Sequence, residues 1–190
     1  MSRTYLGVNQ GFLHDAPSAS DYGFLAWAFD MAISVSGSAT GLGVLTMSKV
    51  HLRAPASVTT MTTYVNTAGA GLTNVGFGLY RASDRTLIAS AVNAGGATAA
   101  AFQGTGTKPV TITAQALAAG AYYVGFWFTG TTAPTLARGN SGGSALNAGT
   151  TLVSGNGLRF AAADTGLTTA APATFTQTGN APAAYWVALS

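Results

Sequence analysis

The chain has 190 residues, no cysteine and only 7% charged residues, with five aspartates and no glutamate set against eight Lys and Arg for a formal net charge of +3. That length fits one domain, or one domain with an arm, and buries roughly 70% of the unfolded surface without a staple. The composition excludes disulfides and cysteine-based metal sites, leaves little Glu, Lys or Arg for surface helices, and spreads the cations too thinly for the clustered footprint that nucleic-acid binding needs.

Residues 1–25 carry Tyr5, Leu6, Phe12, Leu13, Tyr22 and Phe24 with no sustained period. They read as an irregular N-terminal arm, folded over its own domain or docked on a neighbouring subunit. In the docked form Tyr5, Leu6, Phe12 and Leu13 are the candidate assembly interface. The start, MSRTYLGVNQGF, lacks the apolar core of a secretory signal, and no apolar run reaches the ~18 residues of a membrane helix. The expectation is a soluble chain, or one that leaves the cell inside a particle released by lysis.

Trp27, Phe29, Met31, Ile33 and Val35 alternate with small or polar residues, a strand template; a short helix over 24–33 is the competitor. Gly37–Gly43 reads as a loop. Leu45–Arg53 is a strand with Val50 and Leu52 inward and Lys49, His51 and Arg53 outward, broken by Pro55. Ser57–Asn66 is a threonine-rich strand, β-branched and wettable without charge. Thr67–Thr73 is a glycine loop. Asn74–Arg81 places Val75, Phe77 and Leu79 inward; Gly76 and Gly78 on the other face signal a bulge or close backbone approach. Ser83–Thr86 is a turn, and Thr86–Val92 completes a hairpin.

Asn93–Lys108 reads as a loop with one edge strand around Phe102, and Pro109–Leu117 as the next strand, Val110 and Ile112 inward. After the Gly120 turn comes LAAGAYYVGFWFT, Leu117–Thr129, with five rings in seven positions. Period-two alternation puts Tyr122, Val124, Phe126 and Phe128 on one face and Tyr123, Gly125 and Trp127 on the other. Both faces are apolar, so both need cover. The strand–turn–strand units at 74–92 and 110–128 have similar shapes. Thr131–Leu146 is a long connection, Leu158–Ala162 a short strand, Thr174–Gln177 a weak one, and Ala184–Leu189 a last strand. The sum, about eight or nine strands with regular turn signals, is the pattern of an all-β, antiparallel, jelly-roll-like sandwich over 26–190.

Catalytic chemistry has little to work with. His14-Asp15 is the one adjacent His–Asp pair, and no GxSxG elbow surrounds a serine. Asp84 and Asp164 read as turn residues and His51 as a solvated histidine. Two histidines without HExxH or a calcium loop give no metal set. GNSGGS at 139–144 lacks the lysine of a phosphate loop. Trp27, Trp127 and Trp186 offer faces on which a sugar can stack, but their strand patterns place them in the core. No catalytic, cofactor or metal residue is assigned.

Two runs carry a resemblance: SKVHLRAPASVTTMTTYVNTAGAGLTNVGFGLYRASDRTLIASAV and KPVTITAQALAAGAYYVGFWFTGTTAPTLARG. The KVHL…VTT strand pair, the AGxGLT loop at Ala68–Thr73, GLY at Gly78–Tyr80, and Leu117–Arg138, in that order and spacing, resemble a β-sandwich module of virion surface proteins of actinobacterial bacteriophages and prophages. These are minor tail, tail-fibre and capsid decoration or head-fibre proteins. The likeness spans roughly residues 45–140. It implies a non-enzymatic structural protein of the virion, assembled in the host cytoplasm and released by lysis. Its partners would be capsid or tail proteins and further copies of itself, such as a trimer, with no nucleic acid, membrane or cofactor. The chain shows no fibre repeat or collagen-like stretch, which favours the capsid decoration or head-fibre type. The alternative is a carbohydrate- or host-receptor-binding module, read through loops Thr67–Thr73, Asn93–Thr107 and Thr131–Leu146. A polysaccharide-degrading enzyme comes last.

Overall fold

The computed structural model describes residues 18–94, 97–139, 159–176 and 183–190. In chain order the strands are β1 (Ala26–Trp27), β2 (Val35–Ala39), β3 (Thr46–Leu52), β4 (Ala56–Thr67), β5 (Ala70–Arg81), β6 (Leu87–Ala94), β7 (Gly106–Leu117), β8 (Gly120–Thr132), β9 (Thr135–Arg138), β10 (Phe160–Ala162) and β11 (Val187–Leu189). The one α-helix among the described residues is α1 (Ala97–Ala101). One sheet runs β10-β3-β8-β5-β6; the other runs β1-β11-β4-β9-β2, with β7 also paired to β4. Met61 pairs with Val110 and with Leu189, so β7 and β11 lie on opposite edges of β4. The named pairings are antiparallel, and the expected all-β sandwich is the observed fold.

The aromatic strand, β8, is the middle strand of its sheet and is covered on both faces. Val124, Phe126 and Phe128 point into the space between the sheets, where they meet Val75, Phe77 and Leu79 of β5 and Met61, Val65 and Val187 of the opposite sheet. Phe102 plugs this core from above, its ring 5.7 Å from Phe77 and 5.4 Å from Phe128. Tyr123 and Trp127 point the other way, into a second cluster with Leu45, Met47, Tyr80 and Phe175. The cover on that outer face is the segment after β10. Its backbone is tied down by Leu45 N–H to Asp164 O, Leu167 N–H to Gly43 O and Leu87 N–H to Ala173 O.

Gly76 and Gly125 make room for these outer rings. Gly76 lies opposite Trp127 across the β5–β8 ladder, and a Cβ there would sit 2.1 Å from the indole. A Cβ on Gly125 would meet Met47 Sδ at 2.6 Å. The close-approach reading of Gly76 and Gly78 therefore holds; at Gly78 the near neighbour is the Tyr80 ring, at 2.6 Å. On β4 the register with β7 shifts between Val58 and Thr60. Such irregularities reset the two-residue phase, so the buried set passes from Val58 to Met61 and Val65, and on β7 from Leu117 to Ile112 and Val110. Among the described strands β7 pairs with β4 alone, an edge position that tolerates Pro109.

Four expectations are corrected. The strand expected over Trp27–Val35 is broken by a 3₁₀ turn at Met31–Ile33, because the Asp30 carboxylate accepts the Ala32 N–H at 2.9 Å and starts the turn. The edge strand expected around Phe102 is instead α1 and its exit; alanines at 97 and 99–101 favour the helix, and Ala99 and Phe102 anchor it in the core. The loops expected at 37–43 and 131–146 contain β2 and β9, which pair with each other; residues 140–146 lie outside the described residues. The 110–128 unit is not a hairpin like 74–92: β7 and β8 enter different sheets.

Candidate functional site

Three surfaces present themselves, each built by the topology from residues distant in sequence. The first is the N-terminal approach to the sandwich. Ser18 N–H and Ser18 Oγ both donate to the Asp21 carboxylate, at 2.7 and 2.9 Å, and start a 3₁₀ turn over Ala19–Tyr22. These bonds hold the Asp21 carboxyl below its usual range. Phe24 then packs edge-on against the fully buried Trp186, ring centroids 5.6 Å apart, in a cluster on the outer face of the β4 sheet. Tyr22, Leu25, Ile33 and Val35 stay exposed at 39% to 65%. They are four of the five large apolar residues so exposed among the described residues, the fifth being Leu42. Tyr5, Leu6, Phe12 and Leu13 lie outside the described residues, as does the His14-Asp15 pair.

The second surface is a corner. The β4–β5 and β8–β9 segments bend together from one sheet into the other, as strands do at the corners of packed sheets. They stay paired on both sides of the bend: Thr67 with Thr135, and Ala70 with Thr132. The exit of α1 closes on this corner through Gly69 N–H to Phe102 O at 3.1 Å and Gly71 N–H to Gln103 Oε1 at 3.1 Å. Parts of the three loops expected to recognise ligands thus meet here, namely Thr67–Gly71, Phe102–Gln103 and Thr132–Thr135. Their exposed groups are uncharged and hydroxyl-rich: Thr67, Thr73, Thr131 and Thr132, with Gln103. Thr73 and Thr129 share a hydroxyl–hydroxyl bond at 2.9 Å.

The third surface lies at the opposite end of β5 and β8, about 35 Å away by strand rise. A cleft of about 480 Å³ is lined by Lys49, Arg81, Ser83, the turn Ala118–Ala121 and Tyr122. The Lys49 ammonium sits 5.3 Å from the centre of the Tyr123 ring, and burial lowers its pKa. Arg81 Nη1 donates to Asp84 Oδ2 at 2.7 Å. Asp84 also accepts the Thr86 N–H, and these bonds hold its carboxyl below the usual range. Tyr122 OH is engaged by Ala118 O at 2.8 Å. Sequence reasoning missed this surface. It saw no basic run, because the fold, not the chain order, brings β3, the end of β5 and the β7–β8 turn together. The available signal was the pair of closely spaced cations on each of two segments, Lys49 and Arg53, and Arg81 and Arg85.

Each described aspartate serves a turn or a strap: Asp21 and Asp30 start 3₁₀ turns, Asp84 holds its turn, and Asp164 accepts the Thr176 N–H at 3.3 Å. No group of three or more His, Asp or Glu that could hold a metal occurs among the described residues. His51 is exposed on the outer face of β3. Trp127 and Trp186 are fully buried; Trp27 is half-buried beside Tyr22, ring centroids 5.6 Å apart. No described helix is long and apolar enough to cross a membrane. No family model, curated protein or solved structure matches the chain.

Proposed function

We propose that the chain is a non-enzymatic structural protein displayed on the surface of a bacteriophage particle and attached there through its N-terminal segment. The observation that carries this reading is the concentration of exposed Tyr22, Leu25, Ile33 and Val35 on the stretch that leads out of residues 1–17. Scattered surface apolar residues need no explanation, whereas four of the five exposed large apolar residues lying on this one stretch is what an attachment segment requires. Tyr5, Leu6, Phe12 and Leu13 continue the same apolar character upstream. The partners are capsid or tail proteins and further copies of the chain. The chain as a whole is only 7% charged, which suits close packing against neighbours because few charges need desolvation.

The test is truncation. A chain lacking residues 1–17 keeps Phe24 on Trp186 and is expected to fold, with an unchanged thermal midpoint for the sandwich, yet to be missing from particles grown with it as the sole copy. Undiminished incorporation contradicts attachment through this segment. A second reading, recognition of a host-surface glycan or receptor, is favoured by the meeting of three loops at the threonine corner. A glycan array probed with the assembled protein tests it: binding lost on Gln103→Ala and Thr131→Val supports it, and no binding at high protein concentration counts against it.

A further inference from the structure

We propose that the edge of the sandwich along β2 is a contact between two copies of this chain, related by a two-fold axis near Gly37, so that Ile33 and Val35 of one copy pack on Leu42 of the other. The strip overlaps the attachment stretch at Ile33 and Val35 and leaves Tyr22 and Leu25 outside it. The pairing is a property of the free chain and does not depend on its belonging to a particle.

Three observations carry it. First, the five large apolar residues exposed among the described residues all fall between positions 22 and 42, and three of them bracket β2. Ile33 is 65% exposed just before the strand, Val35 is 39% exposed as its first residue, and Leu42 is 42% exposed three residues past its end. Between them lie Ser36, Gly37 and Ser38. A strip that is bulky at both ends and small in the middle complements itself. A two-fold rotation brings each bulky end onto the other copy's opposite end, and the small centre lets the two edges approach. Ile33 lies four residues before Gly37 and Leu42 five after it, so an axis there brings the two together.

Second, the strip lacks the devices that keep sheet edges apart. Native edges are blunted by charge, proline, brevity or cover. Here β7 carries Lys108 and Pro109, β1 and β10 have two and three residues, and β6 starts beneath the segment whose Ala173 O accepts the Leu87 N–H. By contrast β2 pairs with β9 alone among the described strands, and from Met31 to Ser48 the chain has no charged residue, histidine or proline. Its one irregularity, a register shift between Val35 and Ser38, bends the strand without adding charge.

Third, the polar groups around the strip are engaged within their own copy. The Asp30 carboxylate accepts the Ala32 N–H, Arg138 Nε–H donates to Ser36 O at 3.1 Å, and Tyr185 OH donates to Ala39 O at 2.8 Å. A charged partner surface would find no counter-charge on the strip, whereas an uncharged second copy loses little on desolvation. With two β2 carbonyls already bonded, the contact is made by side chains rather than by lengthening the ladder. Three large side chains per copy make an interface at the small end of the known range, so the free chain is expected to dimerise with a Kd on the order of 0.1 mM. Copies anchored side by side meet at effective concentrations on the order of millimolar, enough to pair them.

The experiment is sedimentation equilibrium of the full chain from about 0.01 to 1 mM, a range that spans the expected Kd. A monomer–dimer equilibrium with no larger species is expected. Ile33→Ser and Leu42→Ser, both at exposed side chains, are each expected to weaken it at least about tenfold, because each change acts at two symmetric places. Tyr22→Ser is expected to leave it unchanged. Ser36→Lys and Ser36→Glu each set like charges beside the axis and are expected to abolish the dimer, and an equal mixture of the two to restore it as a heterodimer. All variants are expected to melt within about 2 °C of the parent, as surface changes do. The chain lacking residues 1–17 is expected to dimerise like the parent, which separates this contact from attachment through that segment. A chain that stays monomeric at about 1 mM, association indifferent to Ile33 and Leu42, no recovery in the mixture, or a dimer lost with residues 1–17 would overturn the pairing.

Discussion

Replacing Gly76 with alanine tests the two-sided packing of the aromatic strand at its tightest point. The added Cβ would lie 2.1 Å from Trp127 Cζ2 and 2.3 Å from Cε2, contacts that no relaxed structure contains. Trp127 cannot swing clear: it is fully buried, the second cluster packs around it, and its Nε1–H donates to Thr168 O at 3.3 Å. Overpacking of this kind costs about 1–3 kcal/mol, and losing the indole hydrogen bond adds about 1 kcal/mol. Against this, alanine stiffens the unfolded chain by about 0.4–1 kcal/mol. The net expectation is a loss of about 1–3.5 kcal/mol, which for a chain of this size lowers Tm by roughly 3–12 °C. Calorimetry of Gly76→Ala reads it directly. Gly104→Ala is the control: its Cβ would meet nothing nearer than 3.7 Å, so only the stiffening of the unfolded chain remains, and its Tm should hold or rise by about 1–4 °C rather than fall. Trp127→Leu in the Gly76→Ala background should recover part of the expected non-additivity. A Gly76→Ala protein as stable as the parent would refute the account of the outer face.

Other consequences follow from buried polar groups. The Tyr80 hydroxyl is buried and has no hydrogen-bond partner among the described residues, so Tyr80→Phe should stabilise by about 1 kcal/mol, read as a higher urea midpoint at unchanged m; a lower midpoint would show a partner for the hydroxyl. Thr63 Oγ1 donates to Trp186 O at 2.8 Å and Ser48 Oγ to Tyr185 O at 2.9 Å, both buried. Thr63→Val and Ser48→Ala should each cost about 1 kcal/mol in the same assay. Burial raises the pKa of Tyr80, Tyr123 and Tyr185, Tyr123 to about 12 despite a weaker opposing pull from Arg85. The folded state therefore holds these protons more tightly than the unfolded chain, whose tyrosines titrate near pH 10. Their contribution is intact below pH 10 and is lost as pH rises above it, for Tyr123 through about 12. Tyrosinate absorbance and unfolding should rise together in that window; these tyrosines ionising near pH 10 with the fold intact would contradict their burial.

Strands were legible where alternation was strong. Val75, Phe77 and Leu79, and the two faces of Tyr122–Phe128, occupy the sides their spacing assigned. Alternation failed at Trp27–Val35, where one carboxylate, Asp30, bends the backbone more effectively than apolar spacing extends it. It failed again at 97–101, where alanine and threonine carry no period that separates helix from loop. Sheet membership was not legible at all, since a two-residue link such as Ala118–Ala119 serves a hairpin or a crossing between sheets equally well. That is also why the Lys49–Arg81 cleft was invisible: its walls come from two strand ends and a turn whose proximity depends on β8 lying between β3 and β5. Tyr5, Leu6, Phe12 and Leu13 lie outside the described residues; the exposed Tyr22, Leu25, Ile33 and Val35 downstream of them were not singled out as exposed by any spacing in the sequence.

The central claim is that this sandwich is a displayed part of a virion. Immunogold labelling of purified, intact particles whose genome encodes the chain, with antibody raised against residues 26–190, tests it most directly. The account predicts regular labelling at fixed positions on the particle exterior, abolished in particles carrying the chain without residues 1–17. Unlabelled particles, with the protein recovered only in the soluble lysate, would contradict it.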